Sequence, residues 1–338
     1  MKLLALLGTI FLGSCSPDDS FSLPFSLGDM ALDMAATSDL APAADPSPLA
    51  WAPQTSGTGN PLYGVWGSSS TDVWAVGLGS TILHTTNGGK SWSAVIAAGF
   101  TGDWYAVGGT GPNDVFIVST AGTTIHSTNG GAGWSDVSPP SRGSMAVLGF
   151  PSGDVYVLGA GDLAHTSNGG MSWSTVKPPT GGNTMLGLWG ASAGELYIAG
   201  AAGLILYSRD SGASWTVKTG PNAQLNGVGG SNNGGDVYIV GDGNNVLHSS
   251  DHGSTWTLQN SPLSPVSGLA AVSVPADDDV IVVGALGTAM LAAIASTNRG
   301  ASWAPVDLGT PWALQAIWSA GPRDVYAVGA HGAILHGR

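Results

Sequence analysis

His84–Trp92 reads HTTNGGKSW, and the same nine positions return as HSTNGGAGW (His126–Trp134), HTSNGGMSW (His165–Trp173), YSRDSGASW (Tyr207–Trp215), HSSDHGSTW (His248–Trp256) and ASTNRGASW (Ala295–Trp303). Three places never change character. The fourth is Asn or Asp (Asn87, Asn129, Asn168, Asp210, Asp251, Asn298), the sixth is Gly (Gly89, Gly131, Gly170, Gly212, Gly253, Gly300) and the ninth is Trp (Trp92, Trp134, Trp173, Trp215, Trp256, Trp303). A tight hairpin needs positive φ, which glycine supplies, and a short amide or carboxylate satisfies the backbone of the turn. The box therefore reads as a turn between two strands, with the indole capping the core beneath it.

A second landmark precedes each box: TDVWAVG, NDVFIVS, GDVYVLG, GELYIAG, GDVYIVG, DDVIVVG and, last, RDVYAVG, anchored at Asp72, Asp114, Asp154, Glu195, Asp236, Asp279 and Asp324. Asp72 to Asp324 spans 252 residues in six intervals, 42 to each. That period accommodates four strands of about six residues with turns of about four, which is one propeller blade. Within the first unit, strand A is Leu62–Gly67, strand B DVWAVG, strand C TILHT, and strand D begins at Trp92. Strand A holds a small residue at one fixed place, Gly64, Ala106, Ala146, Gly187, Gly227, Ala271 and Ala316, as expected of innermost strands crowding an axis. The seventh unit stops at HGAILHGR before any box tryptophan, while AWAPQ around Trp51 matches SWAPV around Trp303. The Trp51 segment is thus expected to supply the outer strand of the last blade. The fold class is all-β: a seven-bladed propeller of four-stranded antiparallel blades, closed by an N-terminal strand.

Composition agrees. The 338 residues include 53 Gly and 13 Trp but 4 Lys and one Glu, too few of the residues that sustain exposed helices. A net charge of −13 repels a phosphate backbone, so nucleic acid is not an expected partner. The opening MKLLALLGTIFLGSC pairs Lys2 with an apolar run too short to span a bilayer, as in a signal peptide. It ends on Leu12, Gly13, Ser14 and Cys15, the sole cysteine, and this run resembles the bacterial lipoprotein box. That resemblance implies lipidation of Cys15 and, with Ser16 following, an outer-membrane anchor if the cell is Gram-negative. The expected domains are a signal peptide (1–15), an acidic, Pro/Ala-rich tether (16–48) and the propeller (49–338).

The repeated box resembles the Asp-box, or BNR repeat, of a propeller superfamily that includes sialidases, family 74 xyloglucanases, sortilin-type receptors and photosystem II assembly factors. The resemblance covers about residues 49–338 and implies fold far more than activity. A sialidase requires an arginine triad, a tyrosine–glutamate nucleophile pair and an aspartate acid. Here Arg209 and Arg299 lie inside boxes, Arg338 is terminal, and Glu195 occupies the repeated strand B position. Xyloglucanase-like hydrolysis uses two aspartates across a cleft between tandem propellers, and this chain has one propeller. Asp103, Asp162 and Asp242 are the non-repeating acids nearest the upper loops.

Five strand C histidines, His84, His126, His165, His248 and His336, invite a metal reading. Equivalent residues of adjacent blades should sit roughly 13–17 Å apart, whereas zinc ligands lie at about 2 Å, so structural roles are expected, with no metal and no cofactor. The acids opening strand B read as turn caps. Propeller connectivity puts both motifs on the lower face, and the resemblance implies that ligands meet the opposite, upper face, built from the B–C and D–A loops. Trp104, Arg142, Asn183, Asn226 and Trp312 on those loops are the contact candidates, and Trp66, Trp189 and Trp318 on strand A are assigned to packing. The expected function is that of a lipid-anchored, non-catalytic envelope scaffold docking a protein partner, with a polysaccharide-binding protein or glycoside hydrolase as the alternative. The photosystem factors are the nearest analogy in layout, although their basic docking patch is not evident.

Overall fold

In a computed structural model that describes residues 49–338 apart from 141–142, 264–266 and 287–289, seven four-stranded antiparallel sheets follow one another along the chain. Cys15, the signal peptide and the tether lie outside the described residues. Six sheets are built from consecutive strands, and the seventh takes its outer strand from the other end of the chain. Trp51–Gln54 pairs with Ile334–Gly337 in the register Trp51↔Gly337, Pro53↔Leu335 and Gln54↔Ile334. The two extremities thus share one sheet. Gln54 reinforces the seam, accepting from the Trp92 indole of the first blade (2.8 Å) and meeting His336 Nδ1 at 3.2 Å.

Strand B is buried almost throughout (Asp72–Gly77, Asp114–Ser119 and their equivalents), as a strand covered on both faces must be. Strand A crowds the axis. A Cβ on Gly64 would come within 2.9 Å of Ala106 Cα, and one on Gly227 within 2.6 Å of the Ala270 carbonyl. Trp66, Trp189 and Trp318 lie edge-on over Gly109, Gly230 and Gly67 of the next blade, which explains both the indoles and the glycines. Strand D is shorter than expected and starts after the tryptophan: Ser93–Ala94, Ser135–Asp136 and Thr257–Leu258 are two-residue strands.

The box tryptophan leaves the ladder because its ring turns toward the preceding blade. Trp134 meets Trp74 edge-on at 6.1 Å, Trp92 meets Tyr326 at 6.3 Å and Trp303 meets Tyr238 at 6.3 Å. Trp173 donates to the Val137 carbonyl of the blade before it, at 2.7 Å. The residue is therefore an inter-blade staple rather than a cap on its own blade. Inside the turn, the sixth-place glycine holds φ between 73° and 86°, and the residue before it is also left-handed, even where it is Ser211, His252 or Arg299. In all six boxes the Ser or Thr at the second place accepts from the glycine N–H (2.8–3.1 Å), and the Asn or Asp accepts from the N–H four residues on (2.8–3.0 Å). The Asp251 carboxyl, accepting from the Thr255 backbone and hydroxyl, is held down at about 2.

The strand B acids do more than cap turns. Asp72, Asp114, Asp154, Asp236 and Asp324 each bond Nε2 of the strand C histidine in their own blade, at 2.5–2.8 Å. Each histidine ring stacks on the strand B aromatic two residues beyond the acid: Trp74, Phe116, Tyr156, Tyr238 and Tyr326, with centroids 3.7–4.4 Å apart. This acid–histidine–aromatic sandwich accounts for the recurring histidines. Among the described residues, no group of three His, Cys, Asp or Glu could hold a metal ion. Blades four and six lack the histidine. Glu195 instead accepts from Tyr197 (2.6 Å) and meets His252 of the next blade (2.9 Å), while in blade six Ala295, opposite Ile281, stands where the other blades carry the histidine.

Candidate functional site

Every strand A is irregular near its upper end. The register to strand B slips by one residue between Leu62 and Gly64, Trp104 and Ala106, Ser144 and Ala146, Met185 and Gly187, Leu225 and Gly227, Leu269 and Ala271, and Leu314 and Ala316. A bulge leaves one residue out of the ladder and re-aims its side chain. The seven bulged residues are Tyr63, Tyr105, Met145, Leu186, Asn226, Ala270 and Gln315. All seven line one axial cavity of about 470 Å³ that opens among the upper loops, within the range of about 300–1,000 Å³ usual for ligand sites. The repeated bulge therefore makes the mouth.

The mouth has two unlike halves. Blades one to four supply Tyr63, Tyr105, Met145 and Leu186, with the two tyrosines stacked at 5.6 Å and 28°. Tyr105 is 39% exposed, and packing together with the neighbouring Tyr63 phenol pushes its pKa up. Blades five to seven supply Asn226 and Gln315, with Gln224 and Asp242 beside them. These amides are ordered: Gln224 donates to Asn226 Oδ1 (3.0 Å), and Asn226 Nδ2 donates to Asp242 Oδ1 (2.9 Å) and to the Leu269 carbonyl (3.0 Å). Among the described lining residues Asp242 is the one carboxylate, and there is no Lys, Arg or His.

Of the contact candidates singled out from sequence, Asn226 alone among the described residues lines this cavity, and of the non-repeating acids Asp242 does. Trp104 does not reach the surface. It is 0% exposed and packs with Trp74, Ile82, Val115 and Ile117 between blades one and two, so it is removed from the contact set. The reason is its place: it precedes the bulge and points away from the axis into the inter-blade core. Trp312 is 40% exposed at the upper rim of blade seven, tilted against His331 at 4.0 Å. Asn183 sits in a turn outside the cavity, its N–H bonded to the Thr180 carbonyl at 3.2 Å. Arg142 lies outside the described residues. Of the three non-repeating acids, Asp103 accepts from the Gly79 N–H (2.9 Å) and braces the first B–C turn, and neither it nor Asp162 lines the cavity with Asp242. The bulged residues went unread because they stand one place before the fixed small residue and share no side-chain type; position alone unites them.

A family model described as the DUF6242 beta propeller domain matches residues 112–226. Among curated protein sequences, none matches this chain. Three solved structures illustrate the likeness in fold. YCF48 bound to D1 peptide is 20% identical with a TM-score of 0.70, covering 89% of this chain and 99% of that one. Virginiamycin B lyase from Staphylococcus aureus is 15% identical with a TM-score of 0.70, covering 85% and 98%. The family 74 xyloglucanase from Xanthomonas campestris is 14% identical with a TM-score of 0.68, covering 85% of this chain and 53% of that enzyme. The chain is a seven-bladed β-propeller.

Proposed function

We propose that the upper mouth docks a segment of a partner protein, and that the chain works as a lipid-anchored scaffold of the cell envelope rather than as a catalyst. One observation carries this reading: all seven bulges deliver their side chains into a single cavity that is aromatic and apolar on one side and amide-rich on the other. Such a surface offers stacking and main-chain hydrogen bonding together, as a linear peptide requires. A neighbour of the same fold, YCF48, is known bound to a peptide. The six boxes are read as Asp-boxes, whose role here is to build the lower face and the blade interfaces.

A glycoside hydrolase of the inverting kind needs two carboxyls about 6.5–9.5 Å apart, and the described lining holds Asp242 alone. Polysaccharide binding at the Tyr63–Tyr105 pair is the second reading. Crosslinking in detergent-solubilised membranes tests the first: a specific protein recovered with the wild type should be lost with Tyr105→Ala, while glycan titration should show no Tyr105-dependent binding. The reverse pattern refutes docking. Anchoring through Cys15 is tested separately, by palmitate labelling that Cys15→Ala should abolish.

A further inference from the structure

We infer that the segment seated in this mouth is a short basic–apolar peptide, a Lys or Arg beside a large apolar side chain, and not an acidic one. The inference rests on the docking reading above. Its first support is the charge of the lining: among the described residues, one carboxylate and no cation. A glutamate or aspartate entering there would lose water and find no counter-charge among the described lining residues, which is costly in a concave site. A guanidinium or ammonium would find the Asp242 carboxylate, which accepts from Asn226 through Oδ1. The second support is the arrangement of the halves. Met145, Leu186 and the exposed face of Tyr105 form an apolar arc for one side chain, and the polar arc of Gln224, Asn226, Asp242 and Gln315 lies across the axis from it. Phenol faces also attract cations, Arg above all.

The wider field agrees. Asp103, Asp162, Asp242 and Asp307 stand on upper turns or beside them, against Lys177 among the described upper-loop residues, and the whole chain carries −13. A positive segment is steered toward such a face at low salt, and the steering weakens as salt rises. The same features disfavour a nucleic acid.

Fluorescein-labelled hexapeptides in which an Arg or a Glu stands beside either Leu or Ser test this by anisotropy with the full chain. The Arg-Leu peptide is expected to bind more tightly than Glu-Leu by about fivefold or more, the worth of one partly solvated charge contact. It should also bind more tightly than Arg-Ser. Asp242→Asn should shrink the Arg-over-Glu preference while keeping Leu over Ser, and Tyr105→Ala should shrink the latter. Raising salt from about 50 mM to about 300 mM should erode only the charge preference. Equal binding of Glu-Leu and Arg-Leu, or a charge preference indifferent to both Asp242→Asn and salt, overturns the inference. If no peptide binds yet the membrane crosslink still depends on Tyr105, docking stands and the peptide class is wrong. If the crosslink ignores Tyr105 as well, both fall.

Discussion

Replacing Trp104 separates a core role from a contact role. Its ring is wholly buried among Trp74, Val76, Ile82, Ala97, Val107, Val115, Ile117 and Ile125, so Trp104→Ala removes a large apolar surface and leaves a cavity that two packed blades cannot close. Buried aromatic-to-alanine changes cost about 3–5 kcal/mol. For a domain of this size, each kcal/mol moves the melting temperature by about 2–4 °C, so a fall of roughly 6–20 °C is expected in calorimetry. Trp104→Phe behaves differently. The Trp104 indole N–H is buried without a hydrogen-bond partner, and an unsatisfied buried donor costs about 1–3 kcal/mol. Exchanging indole for phenyl gives up some packing but relieves that penalty, so the two should offset to within about 1 kcal/mol. Partner crosslinking should survive in Trp104→Phe. A melting temperature for Trp104→Ala within about 2 °C of wild type, or a stable Trp104→Phe that no longer captures the partner, would refute the core assignment.

Gly131→Ala should destabilise by about 2 kcal/mol or more, because φ is +86° and the new Cβ would fall 2.4 Å from the Trp74 ring; Gly99→Ala, at φ +88° with open space, carries only the backbone cost and is the control in urea unfolding. Burial opposes ionisation of Asp72, but hydrogen bonds from His84 and Ser68 outweigh it and hold the carboxyl below its usual value of 3.8. The stability this confers is present above pH 3.8 and lost as pH falls through the folded value, so Asp72→Asn should cost about 1–2 kcal/mol at pH 7 and progressively less as pH falls below 3.8, as read by urea titration at each pH. Asp279 has the opposite sign: burial and Asp278 push its pKa up, so its charge penalises the fold as pH rises through that value, and Asp279→Asn should be neutral or stabilising at pH 7 in the same titration. A chain beginning at residue 56 lacks the closing strand, leaving Ile334–Gly337 as an open edge and the Trp92 indole without Gln54; it should melt at least 10 °C lower, or associate, in light scattering, and an unchanged monomeric melt would show that closure contributes little.

Much of this protein is written locally. A box turn needs its glycine, its Asn or Asp and its serine or threonine within a few residues, so the chain alone declares where each hairpin lies. A repeat of 42 residues then counts the blades, and the likeness of AWAPQ to SWAPV marks the strand that closes them. Tertiary structure was needed wherever a residue's neighbour belongs to another blade. Trp92 and Trp134 read as caps on their own sheets, and their rings lie on the sheets before. The strand B acids read as turn caps, and the fold shows them holding histidines 11 or 12 residues away. Trp104 and Tyr105 are adjacent in sequence, yet a bulge between the paired positions sends one into the core and the other to the axis. The mouth is the extreme case: Tyr63, Tyr105, Met145, Leu186, Asn226, Ala270 and Gln315 share no chemistry that a repeat could display, and they become one site because a ring of seven sheets points the same backbone irregularity at a common centre.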